Sequence, residues 1–286
     1  MSYSRDNEPR RDSHQRSRGS SFSGLKLRLL IAGAIILFSI VTYAAKSQLN
    51  PITGKHQRVG LSVNDEILMG LQGAPQMGRV SNDFEAQRRI EIVGARLINT
   101  LEQQLALEGK RNPYPFEFHL LADQQTVNAF AIPGGQIFVT EALYHRLRTD
   151  GQIAGVLGHE MGHVIERHGS EQMAKQGLIQ GIAGAAGVAG GDINSTRAAA
   201  YVGNIVSMKY GREAETESDE WGVKLMILAG YSPEHLLTVM DVLEQSSGGS
   251  GPPEFLSTHP RPKNRREYIQ KIIDATFPNG IPAGLH

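Results

Sequence analysis

The chain has 286 residues, 29 Lys/Arg against 29 Asp/Glu, and no cysteine. That length allows one large or two small domains, and the balanced charge provides no global field for nucleic acid. Without cysteine, disulfides, thiolate nucleophiles, a lipidated N-terminal cysteine and Cys-bound metal are excluded, so any metal must be held by His, Asp or Glu.

Residues 1–28 carry seven Lys/Arg against three acids and read as a disordered basic tail. Residues 29–45, LLIAGAIILFSIVTYAA, are 17 residues without a charge, at the lower limit for a spanning helix. A polar tail of this kind could not surround a core helix. A cleaved signal peptide competes with an uncleaved anchor, and the length of the tail favours the anchor. The Lys/Arg excess ahead of the apolar run predicts a cytoplasmic N-terminus and places everything after Lys46 beyond the membrane. This is the topology of a single-pass bacterial inner-membrane protein with a periplasmic domain.

Residues 46–80 read as a membrane-proximal connector with a short helix over 64–71, and 81–286 as the compact domain. Ala86, Ile90, Val93, Leu97 and Leu101 recur at helical spacing and predict one buried stripe. Residues 116–120 alternate as a strand does. Strand-like sequence follows over 129–140, broken by the turn signal Pro133-Gly134-Gly135, and from Glu141 the pattern is helical. Residues 177–208 are dense in Gly and Ala; the apolar run is short for a second span and reads as packed helices or a loop beside the active site. Ser232 and Pro233 predict an N-cap and first helical residue for a run ending near Leu243. Residues 246–253, SSGGSGPP, read as a flexible loop.

The chemistry concentrates at His159-Glu160-Met161-Gly162-His163. On a helix of 3.6 residues per turn, His159 and His163 project from one face and can reach one ion. Glu160 is rotated by one position, close enough to deprotonate a metal-activated water without ligating. Catalytic zinc takes three protein ligands and keeps a fourth position open. His168, five residues past His163, would point about 140° away on a continuous helix. The metzincin pattern fails because Glu166 and Gly169 occupy its Gly and His positions. A carboxylate from a second helix remains, and residues 210–222 are rich in them.

With these motifs in place, the chain resembles the HtpX-like, CAAX-prenyl-protease-like and BepA-like zinc metallopeptidases, family 48 of the metallo class and gluzincin in type. Their second motif, Arg-x-x-Glu-x-x-Ala-Asp, maps onto Arg212, Glu215 and Asp219, with Ser218 in place of Ala. The resemblance implies one zinc held by His159, His163 and Glu215, with Asp219 holding a ligand histidine by its other ring nitrogen. Glu213 and Glu217 lie on other faces and read as solvated. Asn128, Ala129, Phe130 and Ala131 resemble the family's edge-strand segment, which pairs with extended peptide; Asn128 also reads as a turn cap. Thr258-His259-Pro260 and the Arg265-Arg266 that follows resemble the C-terminal His-Pro motif. His259 would then face the substrate carbonyl, against a plain reading as a capping histidine.

The implied fold is α+β and mostly helical: a zincin-like domain with a small edge-strand sheet, preceded by one transmembrane helix. The implied function is a zinc endopeptidase acting on unfolded envelope proteins, with unfolded polypeptide and the membrane as its partners and no nucleic acid. A chaperone-like or binding module with an occluded zinc site is the alternative. A zinc amidase acting on cell-wall peptides shares the chemistry but not the motif set.

Overall fold

The predicted stripe of Ala86, Ile90, Val93, Leu97 and Leu101 is buried on α3 (Phe84–Leu107), whose N-terminus is capped by the Asp83 side chain. The structure, a computed structural model, describes residues 21–190, 210–246, 254–259 and 265–286. Ahead of α3 come α1 (Ser21–Ala45), the antiparallel hairpin β1 (Ser47–Leu49) and β2 (His56–Arg58), and α2 (Val63–Gly73). A capping box between Ser62 and Asp65 starts α2.

Residues 46–80 do more than connect. Asn50 Nδ2 donates to the Ile165 carbonyl at 2.7 Å, and Gln57 Nε2 donates to the Glu166 carbonyl at 2.5 Å. Both carbonyls lie at the C-terminus of the helix that carries the two spaced histidines, where no intrahelical donor exists. The hairpin therefore caps that helix.

β3 (Glu117–Leu121), β4 (Ala129–Ile132) and β5 (Gln136–Thr140) form a sheet of order β3-β5-β4. β3 is parallel to β5, and β4 is antiparallel to it with Phe130 opposite Phe138. The β4–β5 turn needs Gly134 and Gly135, whose φ values of 95° and 102° suit only glycine. β4 is thus an edge strand, as expected, but all four of its residues are buried.

Thr140 and Thr149 cap α4 (Glu141–Tyr144) and α5 (Asp150–Ile165). Every residue from Gly151 to Ile165 is buried, so α5 is the central helix, packed against α3, β4, α7 (Arg212–Leu228) and α8 (Glu234–Gln245). Small residues set the closest approach. A Cβ on Gly158 would lie 3.2 Å from Gly222 Cα, and one on Gly162 would lie 2.8 Å from Ser218 Cα. Ser218, in place of the family's alanine, is one of these contacts.

α8 begins one residue later than expected, and no side chain caps it. The Ser232 N–H instead donates to the His286 carbonyl at 2.8 Å, which ties down the C-terminus. α9 (Glu254–Thr258) and α10 (Arg265–Thr276) complete the body. α6 (His168–Gly190) is one helix running along α1, and only the part of the Gly/Ala-rich segment up to Gly190 is described. The expected loop at 246–253 lies outside the described residues except Ser246, as does Pro260. Within α1, the 22 residues Gly24–Ala45 are long and apolar enough to cross a membrane. The α+β, mostly helical class and, among the described residues, one such apolar helix near the N-terminus agree with the sequence.

Candidate metal centre

α5 presents His159, Glu160 and His163, α7 presents Glu215 and Asp219, and the residue after α9 is His259. His159, Glu160, His163, Glu215, Asp219 and His259 are each at most 2% exposed. One ligand atom from each of His159, His163, Glu215 and His259 falls within 4.8 Å of the other three. The two Nε2 atoms of His159 and His163 are 3.1 Å apart. Glu215 Oε2 is 3.7 Å from His159 Nε2, and Oε1 is 3.5 Å from His163 Nε2. Ligands about 2.05 Å from a tetrahedral zinc stand about 3.3 Å apart, so these three side chains fit one ion.

The outer ring nitrogens are held. His159 Nδ1–H donates to Asp219 Oδ1 at 3.0 Å, which leaves Nε2 as an inward lone pair. His163 Nδ1 lies 3.0 Å from His168 Nδ1, and His168 Nε2 lies 3.0 Å from Glu217 Oε2. Lys55 Nζ closes this chain on Glu217 Oε1 at 2.6 Å. The tautomers follow: His163 donates to His168, and His168 donates to Glu217.

Two expectations are corrected here. His168 does not point away, because α5 ends at Ile165 and Arg167 takes a left-handed φ of 56°, which swings His168 back against His163. That backbone costs about 1–2 kcal/mol in a non-glycine residue. It is held by the buried Arg167 guanidinium, which pairs with Glu66 at 2.9 Å and donates to the Leu61 carbonyl at 2.7 Å. Glu217 is not freely solvated; hydrogen bonds from His168 and then Lys55 hold its carboxyl at about 2. Glu213 is exposed, as expected.

Arg265, read in the sequence only as part of a motif, is 4% exposed and forks onto Asp219 with two 2.7 Å bonds. Burial would raise the Asp219 carboxyl, but the Arg265 charge and the bonds from His159 and Arg265 outweigh it and hold it at about 2. Arg265 Nη1 also stands 3.0 Å from Glu215 Oε2, without hydrogen-bond alignment. Tyr210 was likewise not singled out; its ring stacks on His163 with centroids 4.1 Å apart. Burial and then the Glu160 and Glu215 charges raise its phenol.

The charges do not balance without a cation. With the histidines neutral, three buried carboxylates (Glu160, Glu215, Asp219) against one guanidinium (Arg265) leave two negative charges. Burial, and then the neighbouring His159 and His259, lower His163 and keep it neutral. Burial also pulls His259 down, but the Glu215 and Glu160 charges outweigh it and raise its pKa. Burying uncompensated charge costs several kcal/mol per ion, and one dication removes the deficit. Both Glu160 oxygens, Glu215 Oε2 and His259 Nε2 lack a hydrogen-bond partner. The donor set fits a divalent metal.

His259 is not a surface cap. Its Nδ1 lies 3.0 Å from Glu215 Oε1 and 3.4 Å from His159 Nε2, and its Nε2 lies 3.6 Å from Glu160 Oε1. Asn128 is buried; its N–H donates to Thr140 Oγ1 at 3.1 Å, and its Oδ1 has no partner. Ala131 lines a small cavity with His163 and Tyr210, which joins the end of β4 to the centre. Phe255 N–H donates to the Val127 carbonyl just before β4 at 3.3 Å, so α9 lies beside the start of the edge strand.

Two histidines one turn apart on a buried helix, a carboxylate from a second helix and a glutamate without a hydrogen-bond partner between them form a candidate centre of the kind a metallopeptidase requires. Residues 86–273 match peptidase family M48, and the chain belongs to that family. It is similar to the beta-barrel assembly-enhancing protease of Yersinia pestis, 32% identical over 230 residues, covering 75% of this chain and 45% of that protein. The protein of the same name from Escherichia coli K12 is 31% identical, covering 59% and 36% respectively. The mitochondrial metalloendopeptidase OMA1 of Arabidopsis thaliana is 31% identical, covering 52% and 30%. The chain spans less than half the length of each of these relatives.

Proposed function

We propose that this chain is a zinc endopeptidase, anchored by α1 in a bacterial inner membrane, that hydrolyses unfolded or misfolded envelope polypeptides on the periplasmic side. The observation that carries the reading is the buried Glu160 carboxylate, neither oxygen of which accepts a hydrogen bond, beside a donor set that with neutral histidines is two positive charges short of balance. His159, His163 and Glu215 would hold the zinc, and Asp219 fixes His159 through Nδ1. The metal, when bound, supplies acidity to a water and polarises the scissile carbonyl. Glu160 takes the proton from the attacking water and returns it to the leaving amine. His259 Nε2, facing Glu160, would donate to the oxygen on which charge develops. Extended substrate would pair with β4, with Asn128, Ala129, Phe130 and Ala131 as its binding edge.

A second reading has its own observation. His259 Nδ1 stands within ligand distance of the same donor set, and β4 is fully buried with α9 beside its start. These features support a latent centre in which His259 occupies the fourth position, and the chain would then act as a chaperone-like or binding module until the cleft opens.

The test uses the full chain in detergent with unfolded casein. One zinc per chain and cleavage are expected, with a loss of about 100-fold or more in Glu160→Gln while zinc is retained. Equal fragment release by wild type and Glu160→Gln would remove the peptidase reading. Bound zinc with no cleavage by either would favour the latent one.

A further inference from the structure

The second half of α6 is difficult to account for as a helix in water. Residues 176–190 contain no charge, and five of the fourteen residues 177–190 are glycine. Each glycine disfavours a helix by about 1 kcal/mol relative to alanine. Nevertheless the segment is helical throughout and carries Ile179 and Ile182 63% and 41% exposed. In hydrocarbon the propensity cost loses its force, because an unfolded backbone has no water to bond to.

The partner of this half-helix is α1. Both helices leave the body together: α1 ends at Ala45, before the β1–β2 hairpin, and α6 starts at His168, against His163. They run antiparallel and in close contact, and a Cβ on Gly181 would lie 2.2 Å from Ser39 Oγ. On α1 the less exposed positions are Ala32, Ile35, Ser39, Thr42 and Tyr43, a stripe at helical spacing facing α6. On α6 the matching row is Gly177, Gly181 and Ala185, the small-x-x-x-small spacing by which helices pack inside membranes. Ser39 Oγ donates to the Ile35 carbonyl at 2.7 Å and Thr42 Oγ1 to the Phe38 carbonyl at 2.8 Å, so neither hydroxyl needs water.

Depth follows from the register. With Gly181 opposite Ser39, α6 runs back alongside α1 from about the level of Tyr43 to that of Leu30. At 1.5 Å per residue, residues 177–190 cover about 20 Å of depth beside α1. If α1 spans the bilayer, Ile179 and Ile182 lie at the depth of α1's exposed Val41, Ile40, Phe38 and Leu37.

We propose that residues 177–190 are inserted in the lipid bilayer beside α1 as a second membrane-embedded helix, with lipid acyl chains covering its Ile179–Ile182 face. The proposal goes beyond the peptidase reading and rests only on the part of it that places α1 in the membrane. It also means that α6 runs from the acyl chains to a direct contact with His163.

The chain has no cysteine, so single-cysteine variants report individual positions. Full-length Ile182→Cys and Ile179→Cys are compared with Ile36→Cys on α1 and Ile92→Cys on the exposed face of α3, each labelled with an environment-sensitive nitrobenzoxadiazole dye. They are reconstituted in phosphatidylethanolamine/phosphatidylglycerol vesicles, and quenching by nitroxide on the lipid acyl chains is measured against quenching by aqueous iodide. Positions 179, 182 and 36 should lose most of their emission to the acyl-chain nitroxide and little to iodide, with position 92 the reverse. Lipid quenching at 36 with iodide quenching at both 179 and 182 would overturn the proposal and leave the anchor standing. Iodide quenching at 36 as well would overturn both.

Discussion

At the scale of single residues, the centre divides by how locally each role is determined. The His159–His163 pair depends on four residues of helix, and Glu160 on its place between them, so both were legible in the pentapeptide. Glu215 was legible only through a resemblance, because several acids on the same stretch are equivalent by composition. His168 and Glu217 were misread: the helix rule that turns His168 away holds only while the helix continues, and Arg167 ends it with a left-handed φ of 56°. Arg265 meets Asp219 across 46 residues of sequence, a contact that no local pattern encodes. In the proposed centre His168 fixes the tautomer of His163 from outside the proposed ligand set. Partners of this kind contribute about 10–100-fold to metal affinity. His168→Ala should therefore weaken zinc binding by about that factor in chelator competition, with the secondary structure unchanged by circular dichroism. Wild-type affinity would reduce His168 to packing.

At the scale of elements, what carries periodicity was found: the α3 stripe, the three strands and the turn at Pro133-Gly134-Gly135 stand where the pattern put them. The β1–β2 hairpin was not, since strands of three residues have no period to detect. Nor was the continuity of α6, whose glycine content argues against any helix in water. The contact between α5 and α7 decides the site, because one helix holds two histidines and the other holds Glu215 one turn from Ser218. Gly162→Ala separates two effects of opposite sign. Helix propensity alone would add about 1 kcal/mol of stability. The new Cβ would stand 2.8 Å from Ser218 Cα and 3.0 Å from its carbonyl oxygen, backbone atoms that cannot rotate aside. Overpacking of this kind costs about 1–3 kcal/mol, so a net loss is expected in urea unfolding, together with weaker zinc binding. A variant as stable as wild type would show that the helices separate without cost.

At the scale of the whole molecule, the candidate centre is where otherwise separate parts of the body meet. α5, α7 and the residue after α9 each supply at least one of the four clustered side chains, and α10 supplies the guanidinium that neutralises part of their charge. The β1–β2 hairpin caps α5, and α6 leads from His163 along α1. A dication here would offset the two unbalanced buried charges and tie three elements together at once, so its loss should be felt globally and not only in catalysis. Zinc held about 1,000-fold above its dissociation constant stabilises the folded state by about 4 kcal/mol. At about 2–4 °C per kcal/mol for a domain of this size, removal by chelator should lower the unfolding temperature by on the order of 10 °C. The same treatment should leave Glu215→Ala unmoved, because that variant has already lost its place for the ion. Scanning calorimetry of the full chain in detergent, with and without chelator, checks both. An unfolding temperature indifferent to chelator in the wild type, with zinc shown to have left, would mean that the centre tolerates its unbalanced charge without a metal.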